Sequence, residues 1–405
     1  MQNQKNPYYY LFSLSNFIAA FGGGMILGNG INVIRIPYLK NGSVLAFFIG
    51  SVLGLILLQL ISKKLWNSVG RWFSLFGSLT SVALLIIFKK NEIDFSLSGT
   101  SGLIFFLLLS ARFAFWFYSR VLRASYVAGK QQRIAWVELG YYFGMIIGLI
   151  IWKLIKLDIS FGIMLSIDIL LQFIAGIFDL FANHNSIVQK KSITSMIEIK
   201  PMLERVSEWR LVGSVVFLTI GIQVVIFSIT SKMPEHFAPM IFAVYYFGVA
   251  MGAINYKKYN ILIAWKKIST NAILVSEKMG IKKEASVQSI LLITVLFSTF
   301  TILIFGHCTD RIFQYLFYAS IFGAAFLYEI IALAILDRIG LEDSASKNMV
   351  TYSYGLMGIG AAISLWLLDL VNVTLPTLFF TLFLGACLAG YLVNDKLGKR
   401  RVLTE

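Results

Sequence analysis

Residues 101–124 read SGLIFFLLLSARFAFWFYSRVLRA, an apolar run with Arg112 near its middle. A helix of this length is about as long as the hydrocarbon core of a bilayer is thick. Eleven further apolar runs of similar length make twelve in all, six before residue 183 and six after residue 210. They occupy residues 10–34, 43–62, 71–88, 134–155, 160–182, 211–230, 237–256, 287–306, 311–336, 348–372 and 375–394. The pattern predicts an all-α polytopic membrane protein with twelve transmembrane helices.

Composition supports this prediction. Hydrophobic residues make up 58% of the 405 residues and charged residues only 14%, whereas a soluble domain has about a quarter of its residues charged. The net charge of +15 does not indicate nucleic-acid binding, because the Lys and Arg residues lie in short clusters between the apolar runs. We therefore expect the chain's environment to be a lipid bilayer.

The distribution of basic residues predicts the orientation. With the N-terminus inside, 26 of the 35 Lys and Arg residues fall in or beside the inner segments. Because basic loops stay on the cytoplasmic side, both termini are expected in the cytoplasm, with the protein in the cell inner membrane. Arg120 and Arg123 are assigned to an inner helix end in this count. Arg112 alone lies within a span.

A polar stretch divides the spans into two sets of six. We predict an N-terminal six-helix bundle at 1–182, a cytoplasmic connector at 183–210 and a C-terminal six-helix bundle at 211–405, related by pseudo-two-fold symmetry. The second and eighth spans support a repeat. Residues 48–54 (FIGSVLG) and 246–252 (YFGVAMG) both contain a GxxxG pattern preceded by aromatic residues. Such patterns let helices approach closely.

Twelve spans, a central inner connector, cytoplasmic termini and a length of 405 residues together resemble the major facilitator superfamily of transporters, and several short motifs fit that family in part. Gly70-Arg71 stands where the family's loop after its second helix ends, although the usual upstream acidic residue is missing. Leu109 and Arg112 fit the family's Leu-x-x-Arg in the fourth helix, and Gly144 lacks the adjacent Pro typical of drug antiporters. The chain thus resembles a divergent member of the superfamily. The resemblance implies a central cavity lined by the first, fourth, seventh and tenth spans.

Ionisable groups inside apolar spans are candidates for function, because burying them costs several kcal/mol unless they face water or a partner. Arg112 could bind an anion or assist proton coupling, or it could pair structurally with a carboxylate of the fifth or tenth span. Glu329 could carry a coupling proton, or be fixed by Arg112. Glu138 is more readily explained by a structural link to inner arginines such as Arg133 or Arg123. Asp168 would lie on a peripheral helix by analogy, which makes a transport role less favoured.

Polar uncharged residues complete the set of candidate substrate-binding or coupling residues. Asn29 and Asn32 lie in a Gly-rich part of the first span, and their amides offer donors and acceptors to a polar solute. Gln223 in the seventh span and Tyr328 in the tenth are further cavity candidates. Packing explains the glycines and tyrosines equally well.

Catalysis and metal binding are weakly indicated. The three histidines fall in loops or at span edges, the two cysteines lie far apart, and no nucleotide-binding loop is present. We therefore expect no cofactor, no metal and no enzymatic activity. An ion gradient, most economically of protons, would supply the energy.

The sequence predicts a monomeric secondary transporter of a small polar solute, with an anion favoured. A metabolite or a metal chelate such as a siderophore would fit, taken up by proton symport. Export of a drug or metabolite is the alternative within transport. The alternative of another class is a lipid scramblase or a membrane-embedded enzyme acting on lipid head groups.

Overall fold

A computed structural model describes seven long helices, Trp72, and parts of the segments 46–56, 209–226 and 353–360. The predicted spans 287–306 and 375–394 lie outside them. The helices are α1 (Tyr8–Ile34), α2 (Phe73–Asn91), α3 (Thr100–Val127), α4 (Arg133–Ile155), α5 (Phe161–Ser186), α6 (Ala238–Asn255) and α7 (Arg311–Gly340).

Each of these helices coincides with one predicted span, and no helix end differs from its prediction by more than four residues. Ser160 and Asp310 directly precede α5 and α7, and both residue types favour the start of a helix. α7 ends at Gly340, a residue common at helix C-termini. Among the described residues, no helix combines the length and the hydropathy that crossing a membrane requires.

The helices pack in a connected series. α1 lies against α4 and α5, α2 lies against α3 and α5, and α6 lies against both α7 and α4. Gly140, Gly144 and Gly148 of α4 face α1 so closely that a Cβ at any of them would overlap a carbonyl oxygen of that helix. This GxxxGxxxG row therefore sets the distance between α1 and α4.

The repeat predicted from the sequence has a counterpart in the packing. Gly50, in the second predicted span, lies against α3, and a Cβ there would be 2.6 Å from the Ser110 carbonyl oxygen. Gly248 of α6 lies against α7, where a Cβ would be 2.6 Å from the Phe322 carbonyl oxygen. The second and fourth spans thus meet as the eighth and tenth do. This correspondence is what a six-helix repeat requires.

Polar side chains lie inside this assembly, and apolar ones cover much of its outside. Asn16, Glu138 and Glu329 are at most 2% exposed. Leu79 and Phe181, in contrast, are more than 60% exposed. The buried polar groups need partners within the protein, since leaving them unpaired would cost several kcal/mol each.

Candidate functional site

Two ion pairs connect α3 with α5. Arg112 Nη2 lies 3.0 Å from Asp168 Oδ2, and Arg123 Nη2 lies 2.7 Å from Asp179 Oδ2. Both pairs join residues 56 positions apart in the chain. The second pair therefore lies three helical turns, roughly 16 Å, beyond the first on both helices. Equal spacing in the same direction means that α3 and α5 run parallel.

Arg112 is held from two sides. Its Nε donates a hydrogen bond to Ser81 Oγ at 2.7 Å, and its Nη2 donates to Asp168 Oδ2. Gln172 Nε2 donates to the other Asp168 oxygen at 3.2 Å. The Asp168 side chain is only 3% exposed and the Arg112 side chain 11%. The guanidinium therefore already has a counter-charge and faces the bundle interior.

Of the alternatives left open for Arg112, the structure shows a pair with a carboxylate, but that carboxylate is Asp168 rather than Glu329. All the hydrogen bonds that the described structure gives Arg112 go to α2 and α5. The Glu329 alternative rested on the family resemblance, which places the fourth and tenth spans beside one cavity. Asp168 was expected on a peripheral helix. It lies beside Arg112 because α3 and α5 run parallel in the same group of helices.

Arg123 is more deeply buried than Arg112. Its Nε and Nη2 donate to the Asp179 carboxylate at 2.7–3.2 Å, and its Nη1 donates to Asn16 Oδ1 at 2.8 Å. Asn16 in turn donates to the Val137 carbonyl oxygen at 3.0 Å. These bonds connect α1, α3, α4 and α5.

Arg123 lies in the last turns of α3, and it is buried there. α3 continues to Val127, so Arg123 is 2% exposed within the bundle. The equal spacing of Arg112 and Arg123 and of Asp168 and Asp179 was the sequence signal for this second pair.

A group of phenol rings lies where α4, α6 and α7 meet. We call Tyr141, Tyr142, Tyr245, Tyr246 and Tyr328 the tyrosine cluster. The centroids of the Tyr142 and Tyr246 rings are 6.4 Å apart and the rings are stacked, and the Tyr141 and Tyr245 rings meet Tyr246 edge-on at 6.2 and 5.2 Å. Tyr141 and Tyr246 are only partly buried, whereas the other three are below 9% exposed. The two partly buried rings are therefore the accessible face of the cluster.

Glu329 lies within the tyrosine cluster. The Tyr142 hydroxyl donates a hydrogen bond to Glu329 Oε1 at 3.1 Å, which joins α4 to α7. Gly252 of α6 lies so close that a Cβ there would be 2.9 Å from the Glu329 Cβ. The carboxyl group is thus enclosed by three helices, and only 2% of the residue is exposed.

Residues of the seventh predicted span complete this site. Gln223 Nε2 donates to the Tyr245 hydroxyl at 3.1 Å, and Thr219 Oγ1 and the Tyr328 hydroxyl share a hydrogen bond at 2.9 Å. Gln223, Tyr328 and Glu329, three of the predicted site residues, therefore come together.

The other predicted residues lie elsewhere. Arg112 and Asp168 form the separate ion pair, and Glu138 is completely buried in α4, one turn before Tyr142. Asn29 and Asn32 belong to α1, but their side chains lie outside the described part of the structure. Tyr142, which sequence analysis did not select, is the residue that links Glu329 to α4. Within the described ranges, no three His, Cys, Asp or Glu residues gather as metal ligands.

The Glu329 carboxyl group and the rings around it can bind one positive charge. Glu329 can hold a proton, and Tyr142 can donate a hydrogen bond to its carboxylate form. The surrounding ring faces carry negative electrostatic potential. α4 precedes the predicted connector and α6 and α7 follow it, so the site lies between helices of the two predicted bundles.

Comparison with known proteins gives the fold. No protein-family model matches the chain, and no curated protein matches its sequence. Solved structures do match over nearly the whole chain. A bacterial homologue of the iron transporter ferroportin, outward-facing and soaked with iron, is similar with a TM-score of 0.63 and 12% identity, covering 95% of this chain and 98% of that one.

Two symporters are also similar to this chain in fold. The fucose:proton symporter of E. coli has a TM-score of 0.57 and 14% identity over 98% of this chain and 99% of its own. A proton:xylose symporter has a TM-score of 0.61 and 12% identity over 97% of this chain and 94% of its own. At these identities the comparison establishes the fold. The chain therefore has the fold seen in these transporters of the major facilitator superfamily.

Proposed function

We propose that this protein is a secondary transporter that moves a small polar solute across an inner membrane, with Glu329 as the proton-carrying group. The observation that carries the proposal is the Tyr142–Glu329 hydrogen bond, which places a buried carboxyl group between helices from the two sides of the predicted connector. A group in that position can be reached alternately from either face if the two bundles rock against each other.

Similar structures support a transport role. Two of them are described as proton symporters, for fucose and for xylose. In this protein we place the two bundles at 1–182 and 211–405, with both termini in the cytoplasm. A monomer contains both bundles and so suffices for the proposed cycle. Lipid scrambling and enzymatic chemistry on lipid head groups have no comparable support from the site.

The solute need not be an anion. That expectation depended on a guanidinium free to bind the solute, whereas Arg112 is paired with Asp168 and Arg123 with Asp179. An anionic metabolite or metal chelate remains the second candidate, because displacing Asp168 would free Arg112 for it. The direction of transport follows from the solute and the gradient, so uptake and export are both served by the same site.

Proteoliposomes containing the purified protein and an internal pH-sensitive dye test the proposal. We expect at least one of xylose, fucose, lactate, ferric citrate and choline to move protons through the wild-type protein. Glu329→Gln should abolish that movement, because the amide cannot carry the proton. Tyr315→Phe is the matched control, since Tyr315 lies on α7 but is 74% exposed. Proton movement of wild-type size in Glu329→Gln would show that Glu329 is not the coupling group.

A further inference from the structure

The contact of α4 with α6 and α7 lies toward one end of the molecule. We propose that this contact, which contains the tyrosine cluster and Glu329, is a gate that closes the solute pathway toward the cytoplasm, and that the structure holds the gate closed. This inference rests on the proposed transport function and deepens it. It assigns closure to particular side chains of this chain and to one helix boundary.

The first step of the argument is the depth of the contact. In the predicted orientation, α4 begins on the inner side, whereas α7 ends there. Tyr142 lies 9 residues from the inner end of α4 and 13 from its outer end. Glu329 lies 11 residues from the inner end of α7 and 18 from its outer end. The hydrogen bond between them therefore belongs to the inner half of both helices.

The second step is the apolar packing around that hydrogen bond. One cluster of buried apolar residues, which we call the shared core, has members from both predicted bundles. Its members from the N-terminal bundle are Phe12, Ala135, Val137, Leu139, Tyr142, Leu149 and Ala182. All of them except Leu149 lie in the inner half of their helices.

Buried residues of the outer halves behave differently. Met25 of α1 and Met145 and Ile146 of α4 are buried, but they are not members of the shared core. Among the described residues, apolar packing between the bundles is thus concentrated on the predicted inner side. Close-packed apolar side chains leave few voids as large as a water molecule, so this packing closes that side to a polar solute.

The third step separates the helix contacts that stay together from those that can part. The GxxxGxxxG row of α4 lies against the backbone of α1, and Gly248 and Gly252 lie against that of α7, each within 3 Å of where a Cβ would stand. α4 meets α6 and α7 through side chains instead, by the stacked rings of Tyr142 and Tyr246 and the hydrogen bond to Glu329. Side chains can change rotamer while the helices that carry them stay intact. The moving boundary therefore runs between α4 on one side and α6 and α7 on the other.

The hydroxyl group of Tyr142 is the part of the gate that a small substitution can remove. Opening the gate breaks the Tyr142–Glu329 hydrogen bond and separates the Tyr142 and Tyr246 rings. Tyr142→Phe keeps the ring and deletes the hydroxyl, so it should favour the open state. One hydrogen bond changes an equilibrium of this kind by up to roughly tenfold.

Thiol labelling from the inner side measures the open fraction. Leu139 belongs to the shared core and lies on α4, toward the inner end from Tyr142. The Leu139→Cys variant is made after replacing Cys308 and Cys387 with serine. A membrane-impermeant maleimide, added to inverted membrane vesicles, should label this variant slowly relative to the same protein denatured in SDS. When opening and closing are fast relative to labelling, the labelling rate is proportional to the open fraction.

Substitutions between the bundles should accelerate this labelling. Tyr142→Phe should raise the rate by up to roughly tenfold, and Tyr246→Leu, which removes a ring between α4 and α6, should raise it as well. Two matched controls remove the same kinds of contact within one bundle. Ser15→Ala deletes a buried hydrogen bond from α1 to α5, and Phe322→Leu removes a ring between α6 and α7. Neither control should change the rate.

The inference is overturned by labelling of Leu139→Cys as fast as in the denatured protein. It is also overturned if neither Tyr142→Phe nor Tyr246→Leu accelerates labelling, or if the controls accelerate it equally. Size-exclusion chromatography shows which variants remain folded. Because the two gate variants remove different contacts, either one that folds supplies the test.

The assay needs no solute and no proton movement, so its outcome is independent of the proposed coupling. If labelling behaves as expected but Glu329→Gln moves protons as the wild type does, the gate stands and Glu329 is not the proton carrier. If Glu329→Gln abolishes proton movement but labelling contradicts the gate, the transport proposal stands and this gate is rejected.

Discussion

Gly248→Ala should separate α6 from α7. A Cβ at Gly248 would lie 2.6 Å from the Phe322 carbonyl oxygen, 2.9 Å from the Ala325 Cβ and 3.2 Å from the Phe322 Cα. Ordinary contact needs about 3.4 Å, so the helices must move apart by roughly 0.8 Å at this point. A gap of that size forfeits about a quarter to a half of the dispersion attraction of the atoms beside it.

We therefore expect Gly248→Ala to lower the free energy of unfolding by about 1–3 kcal/mol, the usual range for overpacking. Gly323→Ala is the matched control, because Gly323 lies on α7 next to Phe322 and a Cβ there would meet no atom within 4 Å. The control should be neutral or stabilising by up to about 1 kcal/mol, since Ala favours a helix over Gly.

The measurement is the thermal unfolding midpoint in one detergent, followed by the loss of the monodisperse peak on size-exclusion chromatography. Gly248→Ala should unfold several degrees below the wild type and Gly323→Ala at or above it. Equal midpoints for the two variants, or a lower one for Gly323→Ala, would refute the close approach of α6 and α7.

Loss of the two ion pairs should lower the free energy of unfolding by different amounts. Asp179→Ala leaves Arg123 buried without its carboxylate and should destabilise by about 3–5 kcal/mol, and leucine at both positions should recover part of the loss in the same unfolding assay. Asp168→Ala should cost less, because Arg112 is 11% exposed and keeps its bond to Ser81. The reverse order would contradict the burial of Arg123.

Helix positions were predictable from the sequence because they depend on local composition. Apolar runs located all seven described helices to within four residues. α3 extends three residues and α5 four residues beyond the predicted ends. Arg123 was assigned to an inner helix end, and its spacing from Arg112, which equals that of Asp179 from Asp168, is the pattern that could have indicated its partner.

The site was harder to predict because it depends on contacts between distant residues. Tyr142 and Glu329 are 187 positions apart, and no local pattern pairs them. The family resemblance indicated the fold but did not identify Asp168 as the partner of Arg112. Gln223, Tyr328 and Glu329 were selected separately, and only the packing of α4, α6 and α7 brings them to one place.

The equal separation of the two ion pairs also bears on how the chain is made. At about 5–20 residues per second, a ribosome needs roughly 3–11 s to synthesise the 56 positions from either arginine of α3 to its aspartate. Throughout that interval both guanidinium groups exist without their counter-ions. α3 therefore gains its full set of partners only after α5 has been synthesised. Stopping synthesis after α4 should yield a fragment that the insertion machinery retains rather than releases.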